Sequence, residues 1–229
     1  MLTGAEIQAL LLSLKVASVA VLIALPFAVA AGLALAHPRT PAKTLIGGLV
    51  YLPLILPPVV IGYLLLITLG ARAPVGGFLL ETFGLRLIFD WKGAALAAAL
   101  VTFPFQVRAI RLAAESIDPG LSQAAASLGA GPLDRLFTIT LPLASPGLLA
   151  GAITAWAAAL GEFGAIITFV SNIPGQTRTL PLAIYSAIQS PGGEAVAARL
   201  VTISIVLALA GLFASELAAR AMARLTGRR

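Results

Sequence analysis

The chain has 229 residues, of which 59% are hydrophobic and 10% charged, with a formal net charge of +6. That composition excludes a water-soluble globular domain and places the chain among polytopic membrane proteins. Cysteine is absent, which removes disulfides and thiolate metal sites, and the basic residues flank apolar stretches without interleaved aromatics, which excludes nucleic acid as the partner.

Taken in chain order, the first residues carry Glu6 and no basic cluster. The apolar run 10–36 is longer than a signal-peptide core and lacks a clear cleavage site, so it reads as a span that stays, with Lys15 snorkelling near its edge. The second span is predicted over 45–69 and contains Pro53, Pro57 and Pro58. The third covers 93–110, between Lys92 and Arg108. The fourth starts after Pro142 or Pro146 and reaches Val170, and the fifth covers 200–217. Each meets the need for roughly 20 apolar residues, so the expected fold is all-α with five transmembrane helices. No stretch between spans exceeds about 30 residues, below what folds unaided, so residues 1–229 read as a single domain.

Orientation follows from the basic residues. With the N-terminus outside (periplasmic) and the C-terminus inside (cytoplasmic), the inner segments hold Arg39, Lys43, Arg108, Arg111, Arg135, Arg220, Arg224, Arg228 and Arg229. Lys15, Arg72, Arg86, Lys92, Arg178 and Arg199 remain outside. The segment 118–142 then lies in the cytoplasm. There Asp118-Pro119 supplies an N-cap and a first-turn proline and Gly129 a stop, so 119–128 reads as a short helix with Leu121, Ala124, Ala125 and Leu128 on one side. Gly131-Pro132 starts another. Outside, 71–91 reads as an interfacial segment anchored by Trp91, and 171–199 as a short helix over the outer mouth between Pro174-Gly175 and Pro191-Gly192-Gly193.

The residues offer little chemistry. There is no phosphate-binding glycine loop, no nucleophile elbow and no paired metal spacing, and His37 is the lone histidine, so no catalytic residue, cofactor site or metal site is expected in this chain. Any energy for transport enters through a partner or an ion gradient. Glu162, within Leu160-Gly161-Glu162-Phe163-Gly164, is an acid inside the fourth span. Such a group faces a cavity, carries a proton, or pairs with an arginine or with backbone N–H groups freed at the flanking glycines.

Gln123-Ala124-Ala125, Gly129 and then Ile139-x-Leu141-Pro142 resemble the EAA signature of the permease subunits of ATP-binding-cassette (ABC) importers, with Gln123 in place of the acid. The likeness extends to the molybdate permease subgroup through Leu56-Pro57-Pro58-Val59-Val60-Ile61-Gly62, Val107-Arg108-Ala109-Ile110-Arg111, Leu160-Gly161-Glu162-Phe163-Gly164, Ile167-Thr168-Phe169-Val170-Ser171-Asn172-Ile173-Pro174-Gly175 and Thr177-Arg178-Thr179. The resemblance implies a type I importer fold in the bacterial inner membrane and a homodimer of this chain. It further implies two cytoplasmic ATPase subunits holding ATP-Mg, and a periplasmic binding protein delivering molybdate or tungstate. Coupling to the ATPases would fall to Asp118, Leu121, Gln123, Ala124, Ala125, Leu128, Gly129, Arg135 and Pro142. The path and gate would fall to Pro57, Pro58, Glu162, Phe163, Thr168, Ser171, Asn172, Thr177 and Arg178. The alternatives are a permease for another oxyanion such as sulfate, a secondary transporter using Glu162 as proton carrier, and a non-transporting membrane anchor.

Overall fold

The structure, a computed structural model, describes residues 2–225, with the side chains of Ser215 and residues 218–225 outside the described set. Arg228 and Arg229 of the basic tail therefore lie outside the described residues, as do the side chains of Arg220 and Arg224.

Helix α1 (Gly4–Ala36) opens on a reciprocal cap in which Thr3 Oγ1 accepts from Glu6 N–H and Glu6 Oε2 accepts from Thr3 N–H. Its 33 residues measure about 50 Å, more than the roughly 30 Å of a bilayer core, so its ends project beyond the apolar slab. The stretch 45–69 is not one straight helix. It divides into α2 (Lys43–Ile55) and α3 (Pro58–Leu69), bent by 109°. Pro57 and Pro58 cause the bend, because neither donates a backbone hydrogen bond and each pushes the residue before it into extended backbone. Leu56 and Pro57 have ψ of 139° and 134°.

After α4 (Pro74–Phe83) comes α5 (Trp91–Glu115), longer at both ends than the predicted 93–110. Asp90 Oδ1 caps it by accepting from Lys92 N–H at 2.8 Å, and its last turns carry charge that hydropathy does not count as span. Next are α6 (Pro119–Ser127) and α7 (Pro132–Arg135), which runs through a π-helical segment, Leu136–Thr140, into α8 (Leu141–Leu160). The helix that carries the fourth span therefore starts ahead of Pro142 and Pro146, at Pro132. The wider π turn takes up Pro142, whose ring and missing N–H would interrupt a regular α-helix there. Nor does that span reach Val170 unbroken: α8 stops at Leu160, and a separate α9 (Gly164–Val170) follows. Then come α10 (Leu180–Ile188) and α11 (Glu194–Leu225).

Among the described residues, four helices are long and apolar enough to cross a membrane (4–36, 91–115, 132–160 and 194–214), and the bent α2–α3 pair raises the number to five. The central helix is α5. Its Ala94, Ala95, Ala97, Ala98 and Ala99 are buried against Val16, Ala17, Ala20 and Ala24 of α1, and small side chains let the two backbones approach closely. One end of the bundle is tied by Arg199 Nη2 to Glu6 Oε1 at 2.9 Å and by Lys15 Nζ lying 3.5 Å above the Trp91 ring. So Lys15 does not merely snorkel, and Trp91 is its partner. At the opposite end Lys43 Nζ approaches Glu115 Oε1 at 4.0 Å.

Candidate functional site

Two regions carry the residues singled out by the sequence. The first is α6, which follows the far end of α5. Asp118 Oδ1 caps it by accepting from Gly120 N–H at 2.8 Å, with Pro119 at the first helical position. It ends in a Schellman motif: Ala130 N–H reaches Ala125 O and Gly129 N–H reaches Ala126 O, both at 3.0 Å. Gly129 sits at φ +90°, with nothing within 4 Å of where a Cβ would be, so the glycine answers to backbone conformation and not to crowding. No residue of α6 is buried, and Leu128 just past its end is 89% exposed. Gln123 and Ala124 are exposed, Leu121 is largely so, and Ala125 is half-buried. Arg135 Nη1 donates to Ser122 Oγ at 3.3 Å and Ser122 O at 3.4 Å, fixing α6 to the start of the next span. Pro142 lies on that span's exposed side, directly after the π segment.

The second region lies where two helix breaks meet. The start of α9 abuts the start of α3: a Cβ on Gly164 would stand 3.0 Å from Pro58 Cβ, and one on Gly62 would stand 2.7 Å from Ala165 O. Glu162, only 7% exposed, lies in the break and not on a helical turn of the fourth span. Its Oε1 accepts from Ala165 N–H at 2.8 Å. Of the two pairings raised for this acid, the one with a freed backbone N–H is present, and no arginine faces it among the described residues. Beside it, the Phe163 ring packs on Tyr185 of α10, with centroids 5.2 Å apart and planes at 55°. These rings border an apolar cleft of about 620 Å³ between α8, α10 and α11, lined also by Leu160, Ile188, Ile205 and Ala208.

The polar residues after α9 are committed to one another. Thr177, fully buried, donates from Oγ1 to Ser171 O at 2.8 Å and accepts from Ile173 N–H at 2.9 Å. Asn172 Nδ2 donates to Ser186 Oγ, and Asn172 Oδ1 accepts from Arg178 Nε, each at 2.8 Å. Thr168 Oγ1 donates to Gly164 O within its own helix. Ser171 is exposed and holds φ +65°, ψ −172°, a conformation unusual for a residue with a Cβ. Ser13 Oγ accepts from Leu180 N–H at 2.6 Å, so α10 is bonded to α1 and not merely laid over the bundle.

The sequence pointed to neither Tyr185 nor Gln106. Tyr185 reads as one more apolar position on α10. Gln106, in the middle of α5, is fully buried and neither of its amide atoms has a partner among the described residues. A lone glutamine in a predicted span was a visible signal.

The chain has relatives among known proteins. The family model for the binding-protein-dependent transport system inner membrane component matches residues 24–224. The chain is 54% identical over 227 residues, 99% of each chain, to the "Molybdenum transport system permease protein ModB" of Escherichia coli strain K12. It is 51% identical, over 97% of each chain, to the protein of that name from Haemophilus influenzae. Among solved structures, a chain of the MetNI methionine ABC transporter in an inward-facing form superposes with a TM-score of 0.74 at 17% identity, covering 94% of this chain and 95% of that one. A chain of a bacterial alginate ABC transporter gives 0.74 at 20% identity, covering 98% and 80%. At those identities the structures speak for the fold alone.

Proposed function

The chain belongs to the binding-protein-dependent transport system inner membrane components, and on that premise we propose that it is the permease subunit of an ATP-driven molybdate importer, a multi-pass protein of the inner membrane. Residues 1–229 form one permease domain, with 118–142 as its coupling loop. Two copies make the pathway, two separate ATPase subunits hold ATP-Mg on the cytoplasmic side, and a periplasmic protein delivers the oxyanion, molybdate or tungstate. The N-terminus is periplasmic and the C-terminus cytoplasmic. What supports that orientation is the distribution of basic residues along the sequence, nine in the segments assigned to the inside and six in those assigned to the outside.

The observation that carries the coupling role is α6: a helix capped at both ends, with no buried residue, joined to the bundle by Arg135 and short turns. Leu121 and Leu128, 47% and 89% exposed, give this helix an apolar side that fits a groove on a partner. Seated in a groove of the ATPase, α6 passes closure of the ATP-bound pair through Arg135 and the α7–α8 helix to the break at Glu162. There α9 and α3 move together, because Gly62 and Gly164 leave no slack between them. The transporter is a two-state element, biased by ATP on one side and by the loaded binding protein on the other.

A tetrahedral dianion crosses without a deep well. Glu162 serves as a brace and not as a ligand, since its carboxylate already accepts from Ala165 N–H at the start of α9 and an anion repels it. Phe163 on Tyr185 forms the constriction. Pro57 and Pro58 open backbone groups beside it, and Ser171, Asn172, Thr168, Thr177 and Arg178 shape the outer mouth. Uptake by vesicles carrying the complete transporter tests the reading. Vanadate should abolish molybdate uptake, an uncoupler should leave it intact, and excess sulfate should compete poorly. The reverse response to the two inhibitors would favour a proton-coupled carrier, and strong sulfate competition would move the substrate to another oxyanion.

A further inference from the structure

We propose that the groove between the last turns of α2 and α5 is a binding site for an anionic phospholipid, with the headgroup phosphate on Arg108 and Arg111 and the acyl chains along Leu54, Ile55 and Leu112. The groove encloses about 360 Å³, and Tyr51 and Glu115 complete its lining. On α5 the spacing 108, 111, 112 places the guanidiniums and Leu112 on one face, and on α2 the spacing 51, 54, 55 does the same for the tyrosine and the two apolar residues. Charge at the site does not balance. Glu115 is the one acid lining the groove and is shared by Arg111 at 2.8 Å and Lys43 at 4.0 Å, so three cations face one carboxylate. Arg108 is exposed and has no hydrogen-bond or ion-pair partner among the described residues.

The apolar side of the groove decides between anions. Ile55 is 79% exposed, Leu112 57% and Leu54 43%, and they adjoin the guanidiniums. A free oxyanion meets the charge and leaves these side chains uncovered. A zwitterionic lipid covers them but adds an ammonium to a site with cations in excess. A phospholipid of net negative charge does both, and basic pockets between helices at the membrane boundary are where such headgroups bind. The site stands at the foot of the coupling segment, since Glu115 is followed by Ser116, Ile117 and the Asp118 cap of α6. A bound lipid would clamp α2 to α5 there. The assignment to the cytoplasmic leaflet rests on the orientation proposed above, whereas binding itself does not.

The test is lipid retention by the full chain, purified with its ATPase subunits in neutral detergent and examined by native mass spectrometry after incubation with equal amounts of phosphatidylglycerol and phosphatidylcholine. Wild type should retain phosphatidylglycerol preferentially. R108Q should retain roughly fivefold less, as expected for one arginine at a headgroup. R108K, which keeps the charge, should restore most of the preference, and R72Q, which removes an exposed cation elsewhere, should match wild type. Equal retention of the two lipids by wild type, or undiminished phosphatidylglycerol on R108Q, would overturn the proposal. So would glycerophosphate or inorganic phosphate displacing the lipid at matched concentration, which would assign the site to a free anion. Because no step measures transport, failure here and failure of the importer reading are seen separately.

Discussion

Glu162 is where a single residue separates the rival mechanisms. As a cap for α9 it needs only an acceptor oxygen, which glutamine also supplies, so E162Q should keep uptake within about threefold of wild type. E162A leaves the buried Ala165 N–H without its acceptor and should lower stability by roughly 0.5–2 kcal/mol, with reduced uptake. A proton carrier predicts a different ranking, with E162Q as inactive as E162A, and initial uptake rates of the two variants decide. Gln106 tests the two-state claim at the same scale. Its amide is buried without partners among the described residues in this conformation, so Q106L should raise the thermal stability of this state by roughly 1 kcal/mol. Uptake should fall at the same time if the amide finds its partners only in the other state. Lower stability in Q106L would show that the amide is already bonded at rest.

On the proposed reading, coupling depends on helix α6. Leu128, the most exposed large apolar side chain next to it, is the natural anchor in a partner's groove. L128D should weaken copurification of the ATPase by roughly tenfold or more and leave the chain's own melting unchanged. Equal recovery of the complex would place the ATPase contact elsewhere. G129V acts through backbone alone, since there is room for the side chain but φ +90° disfavours it by about 1–2 kcal/mol. It should uncouple ATP hydrolysis from uptake, measured together in one vesicle preparation.

This element was the most legible in the sequence, because its boundaries are set by residues with strong local preferences: Asp118, Pro119 and Gly129. The spans were legible in number and rough position but not in shape. Hydropathy averaged over a window does not see the stop at Leu160, because one acid among apolar neighbours does not end a span, and only the glycines flanking Glu162 hinted at it. The π segment at Leu136–Thr140 is equally silent, as nothing in those residues dictates its register. Pro57-Pro58 announced a break and gave no angle. Glu162 and Phe163 stood out in the sequence but their contacts did not, because Glu162 with Ala165 and Phe163 with Tyr185 depend on how the broken helices pack.

For the whole molecule, the central claim is that this chain forms the path and a separate motor drives it. The bundle keeps its small-residue core around α5 and its ties at both ends, and leaves α6 uncovered. On the proposed reading, its parts move when the ATPase seats on that helix. The most direct measurement is molybdate accumulation in proteoliposomes containing this chain alone, compared with proteoliposomes that also contain the ATPase subunits, with ATP on their side and loaded binding protein on the other. The account predicts no accumulation against a gradient with the chain alone and ATP-dependent accumulation with the full set. Accumulation by the chain alone, driven by an imposed proton gradient, would contradict it.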